Sequence, residues 1–233
     1  MLTGTLTTGL LLIRSASALP VMSPLDYIKR AVNPGVVIRQ CTQPNMLALA
    51  YDDDPYTYTP QLVDILDKGG AKATFFWCGT LCGCIYRQEA AVKNAYASGH
   101  QVASQSWSHN RIGSMKANQI RTEIIRVEDA LVNMVGVKPA YMRPPFLDTG
   151  GQFLNTMKTV NYKVITNDID SGDWNNQQFQ QAGARGNGHI PPMHEVYPGT
   201  VNTLTPLLIN WANQNGLKLV TVAECAGDPE GSY

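Results

Sequence analysis

Short apolar runs alternate with helical patterns along almost the whole chain, and that alternation is its strongest constraint. Residues 47–51 form a run fit for a strand buried on both faces. Thr59-Pro60 then opens a helix, with a cap residue and a proline at its first position, and Gly69-Gly70 stops it. Further strands are predicted over 72–77, 101–103, 140–142, 162–166, 190–194 and 218–222, with Pro191-Pro192 making one start irregular. Helices are predicted over 89–97, 117–135, 151–159, 177–184 and 200–213. The longest repeats Ile120, Ile124, Val127, Leu131 and Val135 at helical spacing and closes on Gly136. Repeated strand–helix units build a parallel sheet. About seven such units, without a Gly-rich phosphate loop, favour a closed or nearly closed α/β barrel over an open sheet. Chemistry then belongs just after the strands, where barrels carry it.

At 233 residues the chain suits a single domain. Lys+Arg and Asp+Glu balance at 18 each, which removes the electrostatic case for nucleic acid or an anionic membrane and leaves a neutral partner as the better fit. The apolar run 10–13 is followed by Ala16-Ser17-Ala18, a small-x-small cleavage pattern, so residues 1–18 read as a secretory signal and 19–233 as the domain. The run is short, no basic residue precedes it, and Arg14 follows it directly. A bilayer span needs about 20 apolar residues, so this run is no span. Of five cysteines, Cys41 lies before the first predicted strand and Cys225 after the last. In a closed barrel those positions can be neighbours, and a Cys41–Cys225 disulfide is predicted, in keeping with an oxidising, extracellular compartment. Cys78, Cys82 and Cys84 crowd one loop, where a local bridge would leave one thiol over; a zinc knuckle there lacks a fourth ligand.

Five polar segments follow strands. Asp52-Asp53-Asp54-Pro55 sets three carboxylates side by side, an arrangement that metal binding or a base of raised pKa would explain, and a polar turn also would. Gln105 and His109 are four residues apart, one helical turn, where two histidines would form a metal clip. Arg143-Pro144-Pro145-Phe146 fixes the backbone, places a rigid Arg fit to pair with a carboxylate, and leaves Phe146 as the next free amide. Asp168 to Trp174 carries three aspartates, and His194 ends a strand, a place for a proton donor.

Taken in order, these segments resemble the five motifs of the NodB-homology polysaccharide deacetylases, carbohydrate esterase family 4. Thr-Phe-Asp-Asp-Gly-Pro is similar to Ala50–Pro55, His-Ser/Thr-x-x-His to Gln105–His109, and Arg-x-Pro to Arg143–Pro145. Asp-x-x-Asp-Trp matches Asp170–Trp174, and Leu-x-His is similar to Pro192-Met193-His194. The framing cysteines and Glu224-Cys225-Ala226-Gly227-Asp228 are similar to fungal chitin deacetylases. The resemblance covers about residues 40–227 and implies a distorted (β/α)7-type barrel of the NodB-homology fold. It implies removal of acetyl groups from N-acetylglucosamine polymers, or from xylan, by a monomer using a divalent metal, zinc above all. Asp52 would be the base, held by Arg143; Asp53 and His109 would be metal ligands; His194 would be the acid, oriented by Asp173. The Phe146 amide would serve the oxyanion. Trp174 would pack beside the acid, and Tyr56, Trp107, Phe146 and Trp174 could stack on sugar or fill the core.

Two departures fall at the centre of that pattern. Gln105 stands where the family has a His ligand, and a neutral amide oxygen is a poor zinc donor. Asp54 stands where the family has Gly, either straining a turn or serving as a substitute ligand. Three functions follow from the pattern: a deacetylase with an impaired metal site, a catalytically silent glycan binder, or an interaction protein that keeps only the barrel.

Overall fold

The protein is described by a computed structural model covering residues 32–175 and 188–233. The signal expected over 1–18 and the helix expected over 177–184 lie outside the described residues. The strands are β1 (Val37–Ile38), β2 (Met46–Leu47), β3 (Leu49–Asp53), β4 (Ala73–Trp77), β5 (Gln101–Ser104), β6 (Tyr141–Met142), β7 (Lys163–Ile165), β8 (Pro192–His194) and β9 (Lys218–Leu219). The helices are α1 (Thr59–Lys68), α2 (Glu89–Ala97), α3 (Ala117–Val135), α4 (Phe153–Thr159), α5 (Thr205–Gln214) and α6 (Val222–Cys225).

Seven parallel strands form one curled sheet in the order β1-β7-β6-β5-β4-β3-β8. The helices surround it in sequence: α1 packs on α2, α2 on α3 and α3 on α4, while α5 returns to α1. The nearly closed barrel expected from the alternation, and the distorted (β/α) barrel implied by the resemblance, are therefore present, but the membership of the sheet differs. The run at 47–51 divides into β2 and β3, and the predicted last strand shortens to β9, which pairs with β2 in a separate two-stranded ladder. The seventh place in the sheet goes to β1, a two-residue strand too short for an apolar pattern to reveal.

Strand parity divides the core. Leu49, Tyr51, Phe75, Trp77 and Val102 face outward into one cluster under the helices. Ala48, Ala50, Phe76, Ala103, Tyr141 and Ile165 face inward into another, which Val222, Ala223 and Cys225 of α6 plug from one end. Small inner residues let the sheet curl tightly; large outer ones fill the space under the helices. By the same period of two, Asp52 lies on the inner face beyond Ala48 and Ala50, and its register partner in β8 is His194.

The helix boundaries follow local chemistry. Helix α3 spans the predicted residues and closes on Gly136 in the left-handed region, at φ 76°. Helix α1 begins one residue earlier than a Thr59 cap would place it: Tyr58 is the cap, and Thr59 is drawn inward. Its hydroxyl accepts the Tyr56 N–H at 2.7 Å and donates to Glu195 at 2.6 Å. The helix expected from Thr200 starts as a wide π turn, Thr200–Leu204, before α5.

Cys41 and Cys225 form the predicted disulfide across 184 residues of sequence. The cystine lies at the plugged end, where the Thr42 and Gln43 N–H groups also donate to the Cys225 carbonyl. The local bridge expected among the other cysteines is not formed: Cys78 is buried, Cys82 exposed, Cys84 half-buried, and all three are thiols. The Cys78 thiol is occupied inside, against the Gln105 backbone and side-chain carbonyls. By the chain-entropy argument, closing so long a loop stabilises the fold by up to about 5 kcal/mol. Replacing Cys41 and Cys225 together by Ser should lower unfolding stability by roughly 2–5 kcal/mol in a denaturant titration, with little change in m-value per unit of buried surface.

Candidate active site at the open end of the barrel

The exits of β3, β5, β6, β7 and β8 bring most of the predicted site residues to one mouth. Arg143 is fully buried and Asp52 nearly so, and the guanidinium Nη1 donates to Asp52 Oδ1 at 2.6 Å. Its Nη2 donates to the Thr166 carbonyl at 3.2 Å, and its plane lies 4.6 Å from the Phe76 ring centre. One side chain thus ties together the ends of four strands. Burial raises the Asp52 pKa, and the Arg143 and His194 charges only partly offset it, leaving a carboxylate more basic than usual.

His194 faces it from β8. Asp173 takes the His194 ring Nδ1 at 2.8 Å, the His194 backbone N–H at 2.6 Å, the Thr200 hydroxyl at 2.7 Å and the Ser171 hydroxyl at 3.0 Å. With Nδ1 engaged, Nε2 is the nitrogen left for the mouth. Burial pulls the imidazole pKa down, but the Asp173 hydrogen bond and the charges of Asp52, Asp173 and Asp53 outweigh it and hold the value at about 9. The same contacts outweigh burial at Asp173 and lower its pKa.

Asp53 and His109 also meet, with Oδ1 and Nε2 3.6 Å apart. Burial raises Asp53 to about 6, against the pull of His194 and with the push of its carboxylate neighbours; burial and the His194 charge lower His109. Gln105 does not complete a ligand set. Its Oε1 accepts the Asp53 N–H at 2.7 Å and the Cys78 thiol at 3.4 Å. A backbone N–H can only donate, so the oxygen must face it, and the side-chain NH2 that remains has no lone pair to give a metal. Asp54 is taken up elsewhere: its Oδ2 accepts the backbone N–H groups of Cys82 and, at 3.0 Å, Gly83. Among the described residues no three His, Cys, Asp or Glu side chains converge as a metal site. A divalent metal is left with two side-chain donors, and the residues present do not fit the three-ligand centre that the resemblance implied.

The backbone is strained here. Of the non-glycine residues with positive φ among the described residues, Asp53 (82°), Ser106 (72°), His109 (53°), Phe146 (56°) and Leu147 (56°) all lie at the mouth, and the others are asparagines, which tolerate the region. The turn strain considered for Asp54 falls instead on Asp53, whose N–H Gln105 holds. Phe146 is 56% exposed, with its ring edge-on to His109 at 4.9 Å. Trp174 is equally exposed and donates to Asp170 at 3.3 Å. Trp107 is buried under the Arg126 guanidinium and belongs to the core. Tyr56 packs with Tyr58, 6.0 Å away, and no contact joins it to the acid–base pairs among the described residues.

Three participants were not foreseen. Glu195 is fully buried, accepting Trp77 Nε1 at 2.6 Å beside the Thr59 bond, and burial raises it to about 8 despite both hydrogen bonds. A charged residue directly after a strand histidine was the available signal. Tyr197, 39% exposed and 5.9 Å from the His194 ring, and Thr200 carry no pattern that marks them.

A curled parallel sheet with buried carboxylate–Arg and carboxylate–His pairs at its strand exits is the architecture of a barrel enzyme, whose site lies at that end. The polysaccharide deacetylase family profile matches residues 39–165. A chitin deacetylase of Pestalotiopsis sp is 36% identical over 220 residues, covering 91% of this chain and 74% of that protein. A chitin deacetylase of Colletotrichum lindemuthianum is 33% identical over 230 residues, 91% of each chain. The solved structure of the chitin deacetylase from that fungal pathogen superimposes with a TM-score of 0.82 at 32% identity, covering 87% of this chain and 96% of the other. The chain belongs to the polysaccharide deacetylase family, hydrolases that act on amide-linked acetyl groups.

The His194 value fixes the sign of a pH effect. A folded-state pKa of about 9, above the ordinary 6.5, means the contact stabilises fully below pH 6.5 and is lost as pH rises through 9. An NMR titration of the His194 imidazole should show a midpoint near 9, and Asp173→Asn should bring it down by a unit or more (about 1.4 kcal/mol or more of lost interaction).

Proposed function

We propose that this chain binds N-acetylglucosamine polymers of the chitin type across the mouth and hydrolyses their acetamides slowly. The observation that carries this reading is the facing of two intact pairs, Asp52 with Arg143 and His194 with Asp173, on the inner face of one sheet. The relatives named as chitin deacetylases supply the substrate class. Asp52 takes a proton from water as the water oxygen bonds to the acetyl carbon. His194 gives its proton to the amine nitrogen as the carbon–nitrogen bond breaks, so acetate and a free amine leave. Phe146, at the turn fixed by Pro144-Pro145, is the amide proposed for the oxyanion, and the exposed faces of Phe146 and Trp174 offer stacking surfaces for sugar.

A divalent metal of the family's kind would supply polarisation of the acetyl carbonyl. Asp53 and His109 alone are proposed to hold zinc weakly, because the Gln105 oxygen is already shared between Asp53 and Cys78. That same observation favours a second reading, a glycan binder without turnover. The Cys41–Cys225 disulfide supports a secreted location for either.

Acetate release from chitin oligomers, measured with bound-metal content, decides between the readings. Asp52→Asn and His194→Ala should each lower release by about a hundredfold or more; unaltered release in both would remove the proposed roles. Gln105→His should raise bound zinc and increase release by about a hundredfold, a gain that chelation abolishes. Oligomer binding with no acetate released by the unaltered chain establishes the silent reading.

A further inference from the structure

The loop between β4 and the turn at Ile85 is held at both ends and at its tip. Gly79 and Thr80 donate to the Trp107 carbonyl at 2.9 and 3.0 Å, and Ile85 donates back to the Gly79 carbonyl at 2.9 Å, closing the base. The Trp107 ring lies so close over Gly79 that a Cβ there would stand 2.2 Å from it. The tip is fixed by Asp54, whose Oδ2 receives the Cys82 and Gly83 N–H groups. Asp54 is 1% exposed, and the Leu81 N–H also points its charge at the carboxylate. The tip it holds carries Leu81, 42% exposed, and the exposed Cys82, which lies within electrostatic reach of Asp53 and of Tyr197. The loop is therefore a rim beside Asp53, with Leu81 as its large exposed apolar side chain and Tyr197 nearby. In the family pattern the place of Asp54 is Gly, which has no side chain to make this tie.

We propose that Asp54 is a positioning residue that ties the Leu81–Gly83 tip to the exit of β3 and so holds a fixed apolar wall of the glycan groove. The wall part rests on the glycan reading above; the tie does not. A preorganised wall raises affinity by removing the ordering cost of a loop on binding. The carboxylate's part is thus on binding first and on the chemical step second, and the Asp54 departure is a device of this chain rather than damage to a metal centre.

The test uses the full chain and penta-N-acetylchitopentaose, with amide hydrogen exchange as a readout that needs no ligand. Asp54→Ala should speed exchange of the Cys82 and Gly83 amides by tenfold or more and weaken pentamer binding about tenfold. Asp54→Asn, which keeps an acceptor oxygen, should hold both within threefold of the unaltered chain. In acetate release by Asp54→Ala, KM should rise by more than kcat falls. Leu81→Ala, an exposed change that leaves the tie intact, should weaken pentamer binding without altering exchange at Cys82 and Gly83. Unchanged exchange in Asp54→Ala overturns the tie. Faster exchange with unchanged pentamer affinity, or Leu81→Ala binding as the unaltered chain does, overturns the wall. An unaltered chain that binds no pentamer overturns the wall together with the glycan reading, while its exchange data still judge the tie.

Discussion

The mouth of this barrel depends on one buried cation. Arg143 has no access to solvent, and a guanidinium taken out of water must be answered by its surroundings. Asp52 answers with a carboxylate, Thr166 with a carbonyl, and Phe76 with the face of its ring. Those partners come from β3, the exit of β7 and β4, so a single guanidinium fixes the relative heights of strand ends that are distant in sequence. The ion pair is expensive to desolvate and is a poor source of stability on its own account. What it supplies is placement: a basic carboxylate held at a set point, with His194 opposite it and Asp173 behind.

The balance of charge around His194 follows from that placement. Aspartates outnumber cations at the mouth, and they keep the imidazole protonated against the desolvation that would strip it. The same crowd of carboxylates would suit a metal, but the donors divide. Asp53 and His109 face each other; Gln105 turns its oxygen to a strained backbone; Asp54 turns to a loop. The Asp52–Arg143 and His194–Asp173 pairs stand intact, while Gln105 acts as a strut under the Asp53 backbone.

Much of this was legible in the sequence, and the reasons differ by element. The long helix α3 and the strands β4 and β5 were readable because their apolar periodicity is strong and local. The order of polar segments after strands placed Asp52, Arg143, Asp173 and His194 at one end of a barrel, because parity and parallel direction leave no other arrangement. The two-residue β1 was hidden, since its pairing with β7 is long-range and its length carries no period. The direction of a side chain was hidden as well. Nothing in the letters says that Gln105 points at Asp53 N–H, that Asp54 reaches Cys82, or that the Cys78 thiol is consumed internally rather than oxidised. Glu195 illustrates the limit: its adjacency to His194 was visible, but its burial between Thr59 and Trp77 depends on the outward parity of a strand whose register only the fold sets.

The inner face of the sheet is lined by small residues, filled by Phe76 and Tyr141, and stopped from below by α6. The barrel therefore has no bore. Asp52 and His194 stand above that filled core, so a linear polymer would come to them over the rim and not through the sheet.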